Sequence, residues 1–254
     1  MADCGADPAA VASGAHELSA AALDCFLEVH IEQAPALVES KLPVAVCTGI
    51  PGNFRYPQAR INGRHDHVGT PLRFRRDAAM AGAEIAMAVD VAWRKREAAG
   101  IPMAATFGRF HTDASMHGLT IVPGAFSFSL DVRAYDEAIL AAFEAEFLAM
   151  VRDVGARRHV EIDLGPRAEA PVGHVDPAIR ARLHGHAKQL NVPVMDLGSP
   201  ASHDAAAFCA AGVPTAMLFV RNENGSHNPL EHMEIADFLD ACSILACLVA
   251  ERAV

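Results

Sequence analysis

This sequence has no apolar run near the ~20 residues that cross a bilayer, and its first residues show no basic stretch leading into an apolar one. Neither a membrane span nor a signal peptide is expected, which points to the cytoplasm. Clustered positive charge is also scarce. The formal net charge is -10 at pH 7, and consecutive arginines occur only as pairs such as Arg75-Arg76 and Arg157-Arg158. Neutralising nucleic-acid phosphates needs a basic face, so nucleic acid is excluded as a partner and a small molecule is favoured. The six cysteines, Cys4, Cys25, Cys47, Cys209, Cys242 and Cys247, contain no Cys-x-x-Cys pair. Most sit among Ala, Val, Leu and Phe and read as reduced core thiols rather than nucleophiles or a zinc knuckle.

What is present is apolar material in alternating texture. With 254 residues, 52% of them hydrophobic and 20% charged, the chain can bury a sizeable core in one large or two ordinary domains. Residues 16 to 28 are Ala-rich and helical in period, while 26 to 31 and 43 to 48 read as short buried strands. From Arg55 to Asp66 polar and apolar residues alternate as in a half-buried strand. Asp77 to Ala99 predicts a long helix closed by Gly100, Met103 to Phe110 and Ala125 to Arg133 two alternating strands, Asp136 to Val154 a second helix, and His159 to Leu164 a strand. That order, β-α-β-β-α-β, is a ferredoxin-like unit. It is placed at 53–167, with Gly165-Pro166 and Pro171-Val172-Gly173 marking its exit. The remainder predicts helices at Pro177 to Leu190, Asp204 to Ala211 and Glu234 to Arg252, with strands at Pro193 to Asp196 and Thr215 to Val220. Residues 1–52 and 168–254 therefore form an α/β unit of a few short strands, interrupted by the insert.

Two histidines stand in settings that suit metal ligation. His30 lies in Phe26-Leu27-Glu28-Val29-His30-Ile31-Glu32-Gln33, where an apolar strand is broken by charged and polar groups; His227 lies in the turn-rich Asn224-Gly225-Ser226-His227-Asn228-Pro229. The segment Glu28 to Pro35 resembles His-Ile-Glu-Gln-Gly-Pro, with Ala34 in place of the glycine. Thr48-Gly49-Ile50 with Arg55-Tyr56 and Gly63-Arg64-His65-Asp66-His67-Val68-Gly69-Thr70-Pro71 with Arg75-Arg76-Asp77-Ala78 follow. Val122-Pro123-Gly124, Leu130-Asp131-Val132-Arg133, Ser202-His203-Asp204-Ala205 and Ser226-His227-Asn228-Pro229-x-Glu231 complete the series. In order and spacing these resemble the hydantoinase/carbamoylase amidases: N-carbamoyl-L-amino-acid hydrolases, allantoate amidohydrolases and β-ureidopropionases, relatives of the dizinc aminoacylases and carboxypeptidases. The His67 loop is one residue shorter than the family's, and Thr120 stands where the family has a substrate-binding asparagine.

The resemblance implies a dizinc-peptidase-like catalytic α/β unit carrying a lid and dimerisation domain at 53–167. It implies divalent metal (zinc, manganese or cobalt), with His30 on one ion and His227 on the other. His67 would donate to the oxyanion across a dimer interface, Arg133 would clamp a substrate carboxylate, and Gln33 and Thr120 would line the substrate. The substrate implied is a ureido or N-acyl amino acid. The family's His-x-Asp motif, bridging aspartate and paired Glu-Glu would lie upstream of this chain, so that an N-terminal catalytic fragment would be its partner. Two other readings stand beside that one: an inactive dimeric binding or regulatory homologue, and a small autonomous enzyme in which Glu32, His203, Asp204 and His227 assemble a metal site. His30 and His227 alone, lacking carboxylates, are expected to hold metal weakly. A homodimer through residues 53–167 is expected, because strands at 55 to 66 and 125 to 133 would otherwise expose edges.

Overall fold

The computed structural model describes residues 2–14 and 19–252. Its chain divides into two compact units, Met1–Ile50 with Gly173–Val254, and Pro51–Val172. The first unit opens with α1 (Pro8–Ala12), β1 (Phe26–Ile31), α2 (Ala36–Ser40) and β2 (Val44–Cys47). The second holds β3 (Gly52–Asn62), β4 (Asp66–His67), α3 (Ala78–Ala98), β5 (Met103–Thr106), β6 (Phe110–Thr112), β7 (Ile121–Val122), β8 (Ala125–Ala134), α4 (Glu137–Arg158), β9 (Glu161–Asp163) and β10 (Ala168–Ala170). The first then resumes with α5 (Pro177–Gln189), β11 (Val194–Leu197), α6 (Asp204–Ala210), β12 (Thr215–Val220), β13 (Asn222–Glu223), β14 (His232–Met233) and α7 (Ile235–Arg252).

In the first unit the strand order is β1-β12-β2-β11, with β1 parallel to β12, β2 parallel to β11, and β12 antiparallel to β2. These four strands are the ones the sequence places at 26 to 31, 43 to 48, 193 to 196 and 215 to 220. All six residues of β12 are buried, as a strand covered on both faces requires. Ala216, Leu218 and Val220 pack with Ile179 and Leu183 of α5 and Ala241, Ile244 and Leu248 of α7. Met217 and Phe219 face the other way, onto Leu37 of α2 and Ala205 of α6. The helix expected over 16–28 does not form. Ser19 caps a single 3-10 turn at Ala20–Ala22, and pairing of Phe26 with Thr215 draws the following residues into β1; residues 15–18 lie outside the described residues. Strand pairing outweighs the local helical preference there. Of the six free cysteines only Cys47 is buried and Cys4 is exposed, so the thiols are mostly not core residues.

The second unit is an antiparallel sheet in the order β10-β3-β8-β5, with β9 extending the β10 side along β3 and β6 extending the β5 side along β8. Together with α3 and α4 this is the split βαβ arrangement. Strict alternation in β8 buries Phe126, Phe128, Leu130, Val132 and Ala134, which pack with Ile85 and Val89 of α3 and Phe143, Phe147 and Val151 of α4. The structure corrects the edge argument: β3 and β8 are interior strands with partners on both sides. Of the two exit markers, Pro171-Val172-Gly173 is the one at which the unit ends: Ala168–Ala170 still pair with Asn53–Arg55, and the unit runs to Val172. Among the described residues no helix is long and apolar enough to cross a membrane.

The tightest contact in this core is made by an absent side chain. A Cβ at Gly82 of α3 would lie 2.5 Å from the Phe126 ring. Gly82→Ala should therefore lower stability by about 1–3 kcal/mol through overpacking, despite the roughly 1 kcal/mol that alanine offers a helix. Urea unfolding checks this, and a variant more stable than the parent would contradict the packing.

Candidate metal centre

Alternation along β1 places Phe26, Glu28 and His30 on one face. Phe26 stacks on Phe208 of α6 with ring centroids 3.8 Å apart, so this is the face that meets α6. His203 is the N-cap of α6 but makes no side-chain cap hydrogen bond. Glu28 supplies an acceptor there instead, its Oε2 receiving the Ala205 N–H at 2.9 Å. Its other oxygen, Oε1, stands 3.9 Å from His203 Nδ1, and the His30 and His203 rings meet edge to face at 4.5 Å. One ligand atom from each of Glu28, His30 and His203 lies within 4.8 Å of the others, the one such trio of metal-ligating side chains among the described residues.

The hydrogen bonds fix which atoms are available. His30 Nδ1 donates to the Ile31 carbonyl at 2.7 Å, leaving Nε2 as the ring's lone pair. Ser199 Oγ lies 2.6 Å from the Ala201 carbonyl oxygen, which takes its hydroxyl proton; His203 Nε2 must then donate to Ser199 Oγ at 2.7 Å, and Nδ1 carries the lone pair. The His203 side chain is only 2% exposed. Burial, with His30 adding to it, pushes the His203 imidazole down to about 4, so it is neutral at pH 7.

His227 lines a different part of the same unit. A cavity of about 430 Å³ is bounded by His30, Gln33, His227 and Glu231 and by the apolar Val220, Met233 and Phe238. Buried Asn222 organises its rim, accepting the Gln33 N–H at 2.8 Å and donating to the Gly225 carbonyl at 2.9 Å. Glu231 accepts the His227 N–H at 2.9 Å; the Ser226 hydroxyl and that N–H hold its carboxyl below the usual range. Gln33 Nε2 donates to His227 Nε2 at 3.1 Å. Gln33 and His227 both have positive φ, 62° and 59°. Each costs of order 1–3 kcal/mol, and such strain gathers at ligand sites.

The second unit holds the other expected residues. His67 in β4 pairs with Ile121 in β7, and the adjacent Val68 N–H donates to the Thr120 carbonyl, so His67 and Thr120 share one exposed loop pair. Asp66 stiffens it by accepting from Thr70 Oγ1, the His67 N–H and Arg64, contacts that pull its carboxyl down to about 2. Arg133 lies on the sheet face away from the helices, bonded to Asp131 at 2.8 Å, and Asp131 also pairs with Arg55.

Sequence reasoning missed Glu28, although a step of two back from His30 would have found it, and gave His203 the wrong partners. Glu32 is fully buried with both oxygens committed, accepting the Ala36 and Leu37 N–H groups at 2.8 Å each, and so serves the start of α2. Burial nonetheless raises its pKa. Asp204 is exposed and outside the trio. The cluster of Glu32, His203, Asp204 and His227 is therefore not assembled, while Glu28 stands beside His30 and His203.

The sequence profile of peptidase family M20/M25/M40 matches residues 4–251. An allantoate amidohydrolase of Escherichia coli is 31% identical over 236 residues, 91% of this chain and 55% of that protein. An N-carbamoyl-L-amino-acid amidohydrolase of Paenarthrobacter aurescens is 31% identical over 221 residues, 86% of this chain and 52% of that protein. Among solved structures, an amidase of the hydantoinase/carbamoylase family from Burkholderia multivorans superposes with a TM-score of 0.76 at 27% identity, covering 89% of this chain and 54% of the other. The chain spans about half the length of these relatives.

Glu32→Ala tests the assignment of that buried carboxylate. It should lower stability by about 2–4 kcal/mol, since two N–H groups lose their acceptor, while leaving zinc uptake unchanged. Chemical unfolding and equilibrium dialysis read the two effects; loss of metal with little loss of stability would return Glu32 to the ligand set.

Proposed function

The chain belongs to peptidase family M20/M25/M40, and from that premise we propose that it carries part of the site of a metal-dependent amidohydrolase acting on N-carbamoyl-L-amino acids or related ureido acids such as allantoate. The observation that carries the reading is the cavity in which His30, Gln33 and His227 converge, although residues 33 and 227 are far apart in the chain. The donor chemistry suits a divalent ion: imidazole nitrogens with a carboxylate close by. Zinc, manganese or cobalt ions, one held by His30 and the other by His227, would supply a bound water acidified toward ~7 and a polarised carbonyl.

The chain's own residues would do the rest. Gln33 orients the His227 ring and can turn its amide to the substrate's ureido group. His67 donates a hydrogen bond to the developing oxyanion from the second protomer of a homodimer, and the Thr120 hydroxyl lies on the same loop pair. Arg133 offers a planar fork to a substrate carboxylate, in exchange for its bond to Asp131. Dimerisation through this domain is supported by apolar side chains around His67 that have no cover within it. Leu119 is fully exposed and Leu72 is 78% exposed, with Val68 and Phe74 beside them in sequence or across the β4–β7 pair.

Hydrolysis of N-carbamoyl-L-amino acids and allantoate is assayed with manganese or zinc, for this chain alone and with the N-terminal portion of a curated relative. Turnover is expected on complementation and should fall at least roughly a hundredfold in His227→Ala. No turnover under any of these conditions would overturn the reading; robust turnover by the lone chain would show that it carries its own general base.

Light scattering at high micromolar concentration should report a dimer. Leu119→Asp should shift it toward monomer, and a monomeric parent would remove the lid from the interface.

A further inference from the structure

We infer that a cavity of the second unit, between the start of α3 and the end of α4, binds a small phosphate ester whose phosphate is held by arginines from both sides. The inference is independent of the hydrolytic reading, because none of the residues assigned above to metal or substrate lines this cavity. Its volume is about 650 Å³, which suits a small molecule rather than a macromolecule.

The chain has a net charge of -10, yet its arginine pairs converge here. Arg75, Arg157 and Arg158 line the cavity together with Arg73. The one carboxylate in the lining, Asp77, is committed as the N-cap of α3: it accepts the Met80 N–H at 3.0 Å, at the positive end of that helix. Glu84 of α3 fixes the two arginines of α4. Its Oε2 accepts Arg158 Nε at 2.7 Å, and its Oε1 accepts a terminal nitrogen of Arg157. Basic residues in the last turn of α4 are expected at its negative pole, but that pole does not account for Arg73 and Arg75, which belong to the segment before α3.

These contacts leave donors over. Arg158 reaches Glu84 through Nε, so its two terminal amino groups remain. Arg75 gives Nε to the Thr70 carbonyl at 2.8 Å and one terminal group to the Val68 carbonyl, and both acceptors are neutral. The Arg73 guanidinium lies over the Phe74 ring, its carbon 4.6 Å from the centroid, and among the described residues it meets no carboxylate. A guanidinium whose charge is met only by a ring or by carbonyls gains most from an arriving anion. Donors from three separate arginines exceed what the two oxygens of a carboxylate can accept, and they suit the three free oxygens of a phosphate ester. Leu72 and Met80, exposed by 78% and 49%, add an apolar wall for the organic part of that ester.

The test is titration of the full chain with phenyl phosphate, inorganic phosphate and benzoate, followed by calorimetry and by NMR of the arginine side chains. Phenyl phosphate should bind as one equivalent and more tightly than the other two. Arg73→Gln and Arg158→Gln should each weaken it roughly tenfold. Arg94→Gln makes the same change of charge on α3, but Arg94 is paired with Asp90 and lies outside the cavity, so affinity should not move. Leu119→Asp, which disturbs the proposed dimer, should bind as the parent does, because Leu119 does not line the cavity. If Arg158→Gln fails to fold, as judged by circular dichroism, Arg73→Gln decides, since the Arg73 guanidinium rests only on the Phe74 ring. Absence of binding at millimolar phenyl phosphate, indifference to Arg73→Gln and Arg158→Gln, or equal weakening by Arg94→Gln would overturn the site. Benzoate or inorganic phosphate binding as tightly as phenyl phosphate would overturn the ester as its ligand. Turnover does not enter the readout, so failure of the complementation assay leaves this site standing.

Discussion

The hydrogen bond from the Ala205 N–H to Glu28 Oε2 is the contact on which the centre depends. Among the described residues β1 is an edge strand of its sheet, paired with β12 alone, and its far face needs something to hold it. α6 begins at a histidine that does not cap it, so its first amides lack a local side-chain acceptor. One carboxylate answers both needs, because strand periodicity carries Glu28 to the α6 side together with Phe26, whose ring stacks on Phe208. The bond draws the start of α6 against the strand, and His203, two residues before Ala205, is thereby brought edge-on to His30.

Register does for the cavity what this bond does for the trio. β1 and β12 run parallel with Ile31 opposite Val220. Two residues further along each strand, Gln33 and Asn222 come opposite one another, and the Gln33 N–H meets the Asn222 side chain. Asn222 then folds the following loop back by holding the Gly225 carbonyl, and the loop returns His227 to Gln33. A slip of one residue would turn every side chain of β1 to the opposite face, taking Glu28 and His30 from α6 at the same time as it broke the rim. Positive φ at Gln33 and His227 is tolerated because the ladder on one side and Asn222 on the other leave these residues no alternative path.

Much of the fold was legible where local pattern and tertiary environment agree. The continuous apolar run Thr215–Val220 is a strand covered on both faces, and the alternation from Ala125 onward is a strand with one face on helices. α4, expected over Asp136 to Val154, starts after Asp136, whose side chain accepts the Ala138 N–H, but runs on to Arg158, where left-handed His159 closes it. The failures share a cause. Which strands lie at an edge follows from the order of the assembled sheet, and nothing within residues 55 to 66 or 125 to 133 records it. His30 and His227, singled out through the family pattern, line one cavity. Glu28 was not, because a glutamate beside a histidine reads as one more polar break in an apolar run until the strand's period is applied. Glu32 misled in the opposite way, since its motif position suggested chemistry while its oxygens serve the first amides of α2.

The two histidines named first from sequence thus end in unlike electrostatic situations. His30 stands with a carboxylate and a second imidazole, one ligand atom of each within 4.8 Å of the others, while His30 Nδ1 is held by the Ile31 carbonyl and His203 Nε2 by Ser199. At His227 the Nε2 lone pair is occupied by the Gln33 amide, and the neighbouring Glu231 is turned to the His227 backbone. A cation there must first displace a hydrogen bond worth about 1 kcal/mol net and then find carboxylate charge beyond these side chains. The trio and the cavity share His30: Glu28 and His203 stand with it on the α6 side of β1, while Gln33, His227 and Glu231 line the cavity, which is the asymmetry expected where one strand face organises the first and the loops after β1 and β12 organise the second.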